Sequence, residues 1–291
     1  MDFFIEGYIL IEILKWGFLM KKILLALLVI FAIILYTHSG VKYEFRDNIL
    51  YGDGKEASGT FEFKISGFKT KGEFVNGLPN GVFERYYPDG SIMMKYNFVD
   101  ATSLSNELYY KSGQLMGTLS KDDILKLYYD DGQLIMVSNQ RTGEYTIYHE
   151  NGKPLMNASD EIKDIYNEKH EILFNKKLKN NGAGAILKEL GDGSSVLIKN
   201  KKIIANIDVN GAITYLYSTG EPLIRLNDEL LNIFFKDGNI LFESDGNNFT
   251  LNYKDGKPLY EDKRSSWKFF SNDGKEISSN FEKITNIKRI D

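Results

Sequence analysis

The 291-residue chain contains no cysteine. That absence excludes disulfide frameworks, thiolate zinc sites, cysteine nucleophiles, iron–sulfur clusters and a lipid-modified N-terminal cysteine. Histidine is nearly as scarce, with only His38, His149 and His170, and no H-E-x-x-H pair for hydrolytic zinc. There is no excess of positive charge: 36 basic residues against 40 acidic give a net charge of −4, which argues against nucleic acid as a partner. No G-x-S-x-G elbow occurs, and Gly182-Ala-Gly184 lacks the strand–helix context of a dinucleotide loop. The Asp-x-Asn-Gly at 208–211 and Asp245-Gly-Asn-Asn248 read as hairpin turns, since neither has the ligand set of a calcium loop. We expect no enzyme, and assign no catalytic residue, metal or cofactor.

Lys21-Lys22 is followed by an unbroken apolar run from Ile23 to Tyr36 and a small polar exit, Thr37-His38-Ser39-Gly40. This is the plan of a secretory signal. Fourteen helical residues reach ~21 Å, short of a ~30 Å hydrocarbon core, but snorkelling lysines and an interfacial tyrosine can stretch such a run. An uncleaved signal-anchor helix is read ahead of a cleaved signal peptide. Residues 23–36 would then contact the membrane, with the downstream chain on the non-cytoplasmic side of the inner membrane. Residues 1–19 are apolar but interrupted by Asp2, Glu6, Glu12 and Lys15, and read as a doubtful extension ahead of a start at Met20.

From about residue 45 onward the chain repeats itself. Anchor glycines at 54, 72, 90, 113, 132, 152, 193, 220, 238, 256 and 274 fall mostly 18–23 residues apart. A diverged copy fills the gap after 152, with Ile165 to Phe174 aligned on Ile233 to Phe242 and His170 in the glycine slot. The residue before the anchor is Asp in seven of the twelve copies, and Asp-Gly between apolar runs signals a hairpin because the turn needs positive φ. We count slots from the anchor. Slot −4 is apolar or aromatic in ten copies (Tyr86, Tyr109, Phe234 among them), and slot +3 is apolar in all twelve (Met93, Met116, Leu241).

If Asp-Gly forms a two-residue loop, slots −4 and +3 lie opposite each other and define the core face. A type I turn with a bulge at the glycine would shift this register by one, and Pro88 is compatible with it. The +3 regularity favours the two-residue loop. Slots −3 and +2 then make a second, more mixed face. Its Tyr87, Tyr110, Tyr129, Tyr217, Phe235 and Tyr253 are the candidate partner-binding residues. The expected fold is all-β: an elongated antiparallel meander of about twelve stacked hairpins over 45–291, curling into a trough, behind an N-terminal hydrophobic helix at 20–39.

Gly72-Glu-Phe-Val-Asn-Gly-Leu-Pro-Asn-Gly81, followed by Tyr86-Tyr-Pro-Asp-Gly-Ser-Ile92, resembles the MORN repeat in its bacterial variant. Proteins of this look are grouped as the YwqK-like, antitoxin-component family. The resemblance implies β-hairpin arrays that act as binding or scaffolding surfaces, with no catalytic residues to carry over. It leaves two expectations: an envelope-anchored scaffold binding another protein or envelope component, or an antitoxin-type protein neutralising a dedicated toxin. A second likeness, of Tyr109 to Gly117 to choline-binding cell-wall repeats, fails because such cages favour Trp and only Trp16 and Trp267 exist.

Overall fold

The structure, a computed structural model, describes residues 40–65, 67–99, 102–159, 161–176, 184–263, 266–277 and 284–291. The expected hydrophobic helix and the extension before it lie outside the described residues. Among the described residues all regular elements are β-strands, and no helix is long and apolar enough to cross a membrane. The chain divides into two compact units, 1–57 and 58–291.

In the first unit three short strands form one antiparallel sheet, Tyr43–Arg46, Ile49–Gly52 and Lys55–Glu56. Here the two-residue loop is realised. Asp53 and Gly54 take φ of 49° and 78°, and Gly52 pairs with Lys55 directly across them.

The second unit is built from a different hairpin. Gly90 N–H donates to the Tyr87 carbonyl (3.0 Å) and Tyr87 N–H to the Ser91 carbonyl (2.9 Å), closing a three-residue loop whose Gly90 has φ 89°. The same bonds recur at Gly113, Gly132, Gly152, His170, Gly220, Gly238, Gly256 and Gly274. His170 holds φ 66° in the glycine slot, as its alignment required. The aspartate before the anchor has its own use. Its carboxylate accepts the N–H two residues on, as Asp89 does from Ser91 (2.9 Å) and Asp237 from Asn239 (3.0 Å).

The expected register is therefore corrected by one residue. Tyr86 pairs with Ile92, Arg85 pairs with Met94, and Met93 is the surplus residue of a bulge between them. Seven further hairpins repeat this, with Met116, Ile135, Leu155, Leu173, Leu223, Leu241 and Leu259 as the surplus residue. The bulge lets both +3 and +4 point inward, and slots −3 and −5 point inward with them. Slot −4, expected in the core, is turned to the opposite face, where it is half-buried in most hairpins and buried at Leu216. Pro154, Pro222 and Pro258 each begin a strand, where a missing N–H is tolerated.

The expected open meander is also corrected: the array doubles back on itself. Among the described residues the first sheet has thirteen strands and the second ten. The first runs from Gly59–Ile65 to Ile172–Asn175, and the second from Ile186–Glu189 to Ser266–Phe269. Their inner faces share one hydrophobic cluster that includes Met93, Leu127, Ile147 and Ile165 from one sheet and Ile224, Ile233, Leu251 and Leu259 from the other. A meander with one apolar face must cover it, and folding over covers both halves at once. The last strand, Ile284–Arg289, returns to pair with Gly59–Ile65, where the first sheet begins.

Two anchors differ from expectation. Gly72 lies inside the strand Phe68–Val75, where a Cβ would meet the Phe83 ring; the turn is Asn76-Gly77. Gly193 turns at the opposite edge from Gly220, because three turns (200–201, 208–211 and 217–220) follow it in alternation. Its spacing of 27 residues is one and a half hairpins rather than a long copy.

One inward slot breaks the pattern. Slot −5 is Leu108, Leu127, Ile147 or Ile165 in its neighbours but Arg85 in the Gly90 hairpin, fully buried. Its Nη1 reaches the Ile277 carbonyl at 3.5 Å, while Nε and Nη2 have no hydrogen-bond partner among the described residues. Burial lowers its pKa.

Gly238→Val should cost about 1–3 kcal/mol, since a β-branched residue is strained at the φ of 93° found here. Phe235 of that turn packs on Tyr129 of the other sheet, so hydrogen exchange should loosen the Gly132 hairpin too. Loosening confined to sequence neighbours would contradict the doubled array.

Candidate functional site

Two rows of aromatic residues run along the turn edge, one inside the sandwich and one outside. The inner row is slot −3, the six residues expected to form a partner-binding stripe. Tyr87, Tyr110, Tyr129, Tyr217 and Phe235 are buried and Tyr253 is half-buried. They meet across the two sheets: Tyr110 with Tyr253 and Tyr129 with Phe235, both at 6.2 Å between ring centroids. Tyr217 faces His149 at 6.0 Å. Read from the sequence as a second, mixed face opposite the core, these side chains instead lie on the core side, because the bulge turned them inward.

Their hydroxyls have a structural use. Tyr87 donates to the Tyr109 carbonyl (2.8 Å) and Tyr110 to the Tyr128 carbonyl (2.6 Å). Tyr217 donates to the Phe234 carbonyl (2.8 Å) and Tyr253 to the Phe270 carbonyl (2.7 Å). Each bond ties one hairpin to the next. Burial pushes all four phenols well above their ordinary pKa, so they stay protonated donors. Tyr129 is the exception, its hydroxyl buried without a hydrogen-bond partner among the described residues. At the rim above this row, Lys111 pairs with Asp273 (3.0 Å), Lys254 with Glu150, and Ser218 bonds Glu168, bridging the sheets where water still screens the charges.

His149 takes the tyrosine's place in one hairpin. Its Nε2–H donates to the Tyr166 carbonyl at 3.0 Å, which fixes the tautomer. Desolvation lowers its pKa from 6.5, against smaller raising effects of that bond and of Glu168.

The outer row is slot −4 of the first sheet: Tyr86, Tyr109, Tyr128, Tyr148 and Tyr166, all half-buried. Each pairs across its hairpin with an aliphatic residue or proline: Ile92, Leu115, Leu134, Pro154 and Ile172 respectively. Tyr86 donates to Glu84 (2.6 Å), and Tyr109 donates to Glu107. Partial burial first, and then these carboxylates, push both phenols up to about 12. Lys95 Nζ lies 5.8 Å from the Tyr109 ring centroid, and Tyr166 stacks on His170 at 4.6 Å. The second sheet has no such row, with Leu216, Phe234, Asn252 and Phe270 in the same slot. Sequence reasoning missed the outer row by assigning slot −4 to the core. The signal for it was Pro88, which suits the longer loop.

Among the described residues no group of three or more His, Asp and Glu could hold a metal ion. Known proteins add the repeat type. A MORN repeat variant is found at residues 79–100 and 141–157, which fall on the hairpins of Gly90 and Gly152. No curated protein matches the chain. Among solved structures, the TCP10 domain of Danio rerio CPAP in complex with a peptide of Danio rerio STIL is 13% identical. The match covers 70% of this chain and 99% of that one, with a TM-score of 0.24. Alternansucrase in complex with isomaltononaose is 12% identical over 85% of this chain and 23% of that one, with a TM-score of 0.20. TM-scores this low do not establish a common fold.

Tyr110→Phe should destabilise the protein by about 1 kcal/mol through loss of its hairpin-to-hairpin bond. Tyr129→Phe should be neutral or stabilising, since it removes a buried hydroxyl that has no partner among the described residues. Urea denaturation of the two variants checks the contrast, and equal losses would contradict it.

The unfolded chain protonates His149 before the folded one does. Its contribution to stability is therefore complete above about pH 6.5 and is lost as pH falls below that, towards the folded pKa. His149→Tyr, which places there the residue that Tyr87, Tyr110 and Tyr129 supply in the three preceding hairpins, should flatten the stability profile between about pH 7 and 5. A wild-type slope retained in the variant would assign the effect to other groups.

Proposed function

We propose that this chain is a non-enzymatic binding scaffold of the cell envelope that holds a partner, a protein or an envelope component, on the outer tyrosine row. One observation carries the reading. The same hairpin is built with Leu216, Phe234, Asn252 or Phe270 in slot −4 of the second sheet. The turn, the bulge and the ladder therefore do not require the five tyrosines of the first. Half-exposed tyrosine suits an interface, where a large apolar body and a polar tip are both used. Anchoring rests on Lys21-Lys22 and the apolar run to Tyr36, which would hold the array outside the cytoplasmic membrane. An antitoxin-type protein would use the same row against a single toxic polypeptide, and the identity of the captured partner separates the two.

The test is capture from envelope fractions by the full-length protein and by a variant with Tyr86, Tyr109 and Tyr128 replaced by Ser. Capture should be abolished while thermal unfolding moves little, because these side chains are not in the core. Undiminished capture would remove the row from the function.

A further inference from the structure

We infer that the outer tyrosine row is a platform for an extended β-1,4-linked polysaccharide strand running across the β-strands. This rests on the scaffold reading and names its ligand class.

Spacing is the first argument. The five tyrosines sit on every second strand of one continuous sheet, in the order Tyr86, Tyr109, Tyr128, Tyr148, Tyr166. Strands lie about 4.8 Å apart, so successive tyrosines are roughly 9.6 Å apart and the row is roughly 38 Å long. An extended peptide returns to the same face every ~6.8 Å and an α-helix every ~5.4 Å, so neither stays in phase with the row. A β-1,4-linked glycan turns the same sugar face back every disaccharide, a length close to the tyrosine spacing. Sheet twist requires the bound strand to twist with it, which glycosidic torsions allow.

Chemistry is the second. A pyranose ring has an apolar C–H face and an equatorial rim of hydroxyls. The row offers the matching pattern: a phenol ring and its cross-strand aliphatic neighbour as floor, with carboxylates at Glu84, Glu107 and Asp164 beside it to accept hydroxyl protons. Those carboxylates oppose the phosphates of a nucleic acid. The bonds from Tyr86 to Glu84 and from Tyr109 to Glu107 hold the phenols in place before a ligand arrives, which lowers the ordering cost of binding. The row closes at one end where Tyr166 stacks on His170. At the other end Tyr86 borders an open recess of about 650 Å³ lined by Glu62, Lys64, Lys69 and Lys71, further partners for hydroxyls.

The experiment titrates the full-length protein, held in detergent, with chito- and cello-oligosaccharides of increasing length, and with dextran as a polymer of different linkage. Affinity should rise as each added disaccharide reaches a further tyrosine. It should fall on the order of 10-fold for each of Tyr109→Ala, Tyr128→Ala and Tyr148→Ala, and stay unchanged for Phe234→Ala on the second sheet. Circular dichroism of each single variant confirms folding. No binding of either series, equal binding of dextran, or indifference to Tyr128→Ala would each overturn the inference. Should the protein still capture an envelope component through Tyr86, Tyr109 and Tyr128 while binding no oligosaccharide, the glycan fails and the scaffold stands. If that capture fails as well, both fall.

Discussion

Eight hairpins of the larger unit carry one residue more on the second strand than on the first, and that surplus sets the direction of the side chains beyond it. With Met93 or Leu241 inserted between pairs, two consecutive residues point inward and the neighbours of the turn exchange faces. The inner tyrosines follow from this. Slot −3 is brought over the core edge, where a phenol can fill space and still reach a carbonyl of the next hairpin at 2.6–2.8 Å. A flat, bulge-free ladder would have sent those rings to solvent and left the hairpins joined by strand pairing alone. The bulge also adds local twist, which favours two sheets wrapping each other over one long ribbon.

Doubling back changes how the repeats support one another. In an open array each copy touches only its neighbours along the chain. Here Tyr110 meets Tyr253 and Tyr129 meets Phe235, so hairpins more than a hundred residues apart in sequence share one core. Such contacts close long loops and bring a folding cost that local hairpins do not have. In return the buried inward residues of the two sheets cover one another in a single cluster. Arg85 marks where this consistency lapses, a cation in a row of aliphatic residues whose Nη1 reaches the Ile277 carbonyl and the Met94 sulfur while its guanidinium lies 5.8 Å from the Tyr96 ring centroid.

Much of the fold was legible from residue types. Glycine before an apolar +3 slot marks the turns, the phase survives through His170, and the segment 162–175 reads as a hairpin rather than a helix. What misled was a conflict between two signals one residue apart. Uniformly apolar +3 suggested a two-residue loop, whereas a bulge makes +3 and +4 apolar together, as Met93-Met94 and Ile135-Met136 show. Because strand period is two, that single slip exchanged the inner and outer tyrosines and moved the candidate site to the wrong face. Gly72 misled for another reason: its lack of a side chain accommodates the Phe83 ring, not a turn. The folding-back left no local mark, since each hairpin is compatible with either an open or a doubled array.

The return of Ile284–Arg289 to the strand that opens the first sheet has an evolutionary consequence. A solenoid with free ends can lengthen by duplicating a terminal copy. Here Ile284–Arg289 already occupies the edge of the strand that opens the first sheet, and a new hairpin in one sheet would add an apolar face that needs its own cover. Growth is therefore expected by internal duplication in facing pairs, one hairpin in each half, so that chain length changes in steps of two copies.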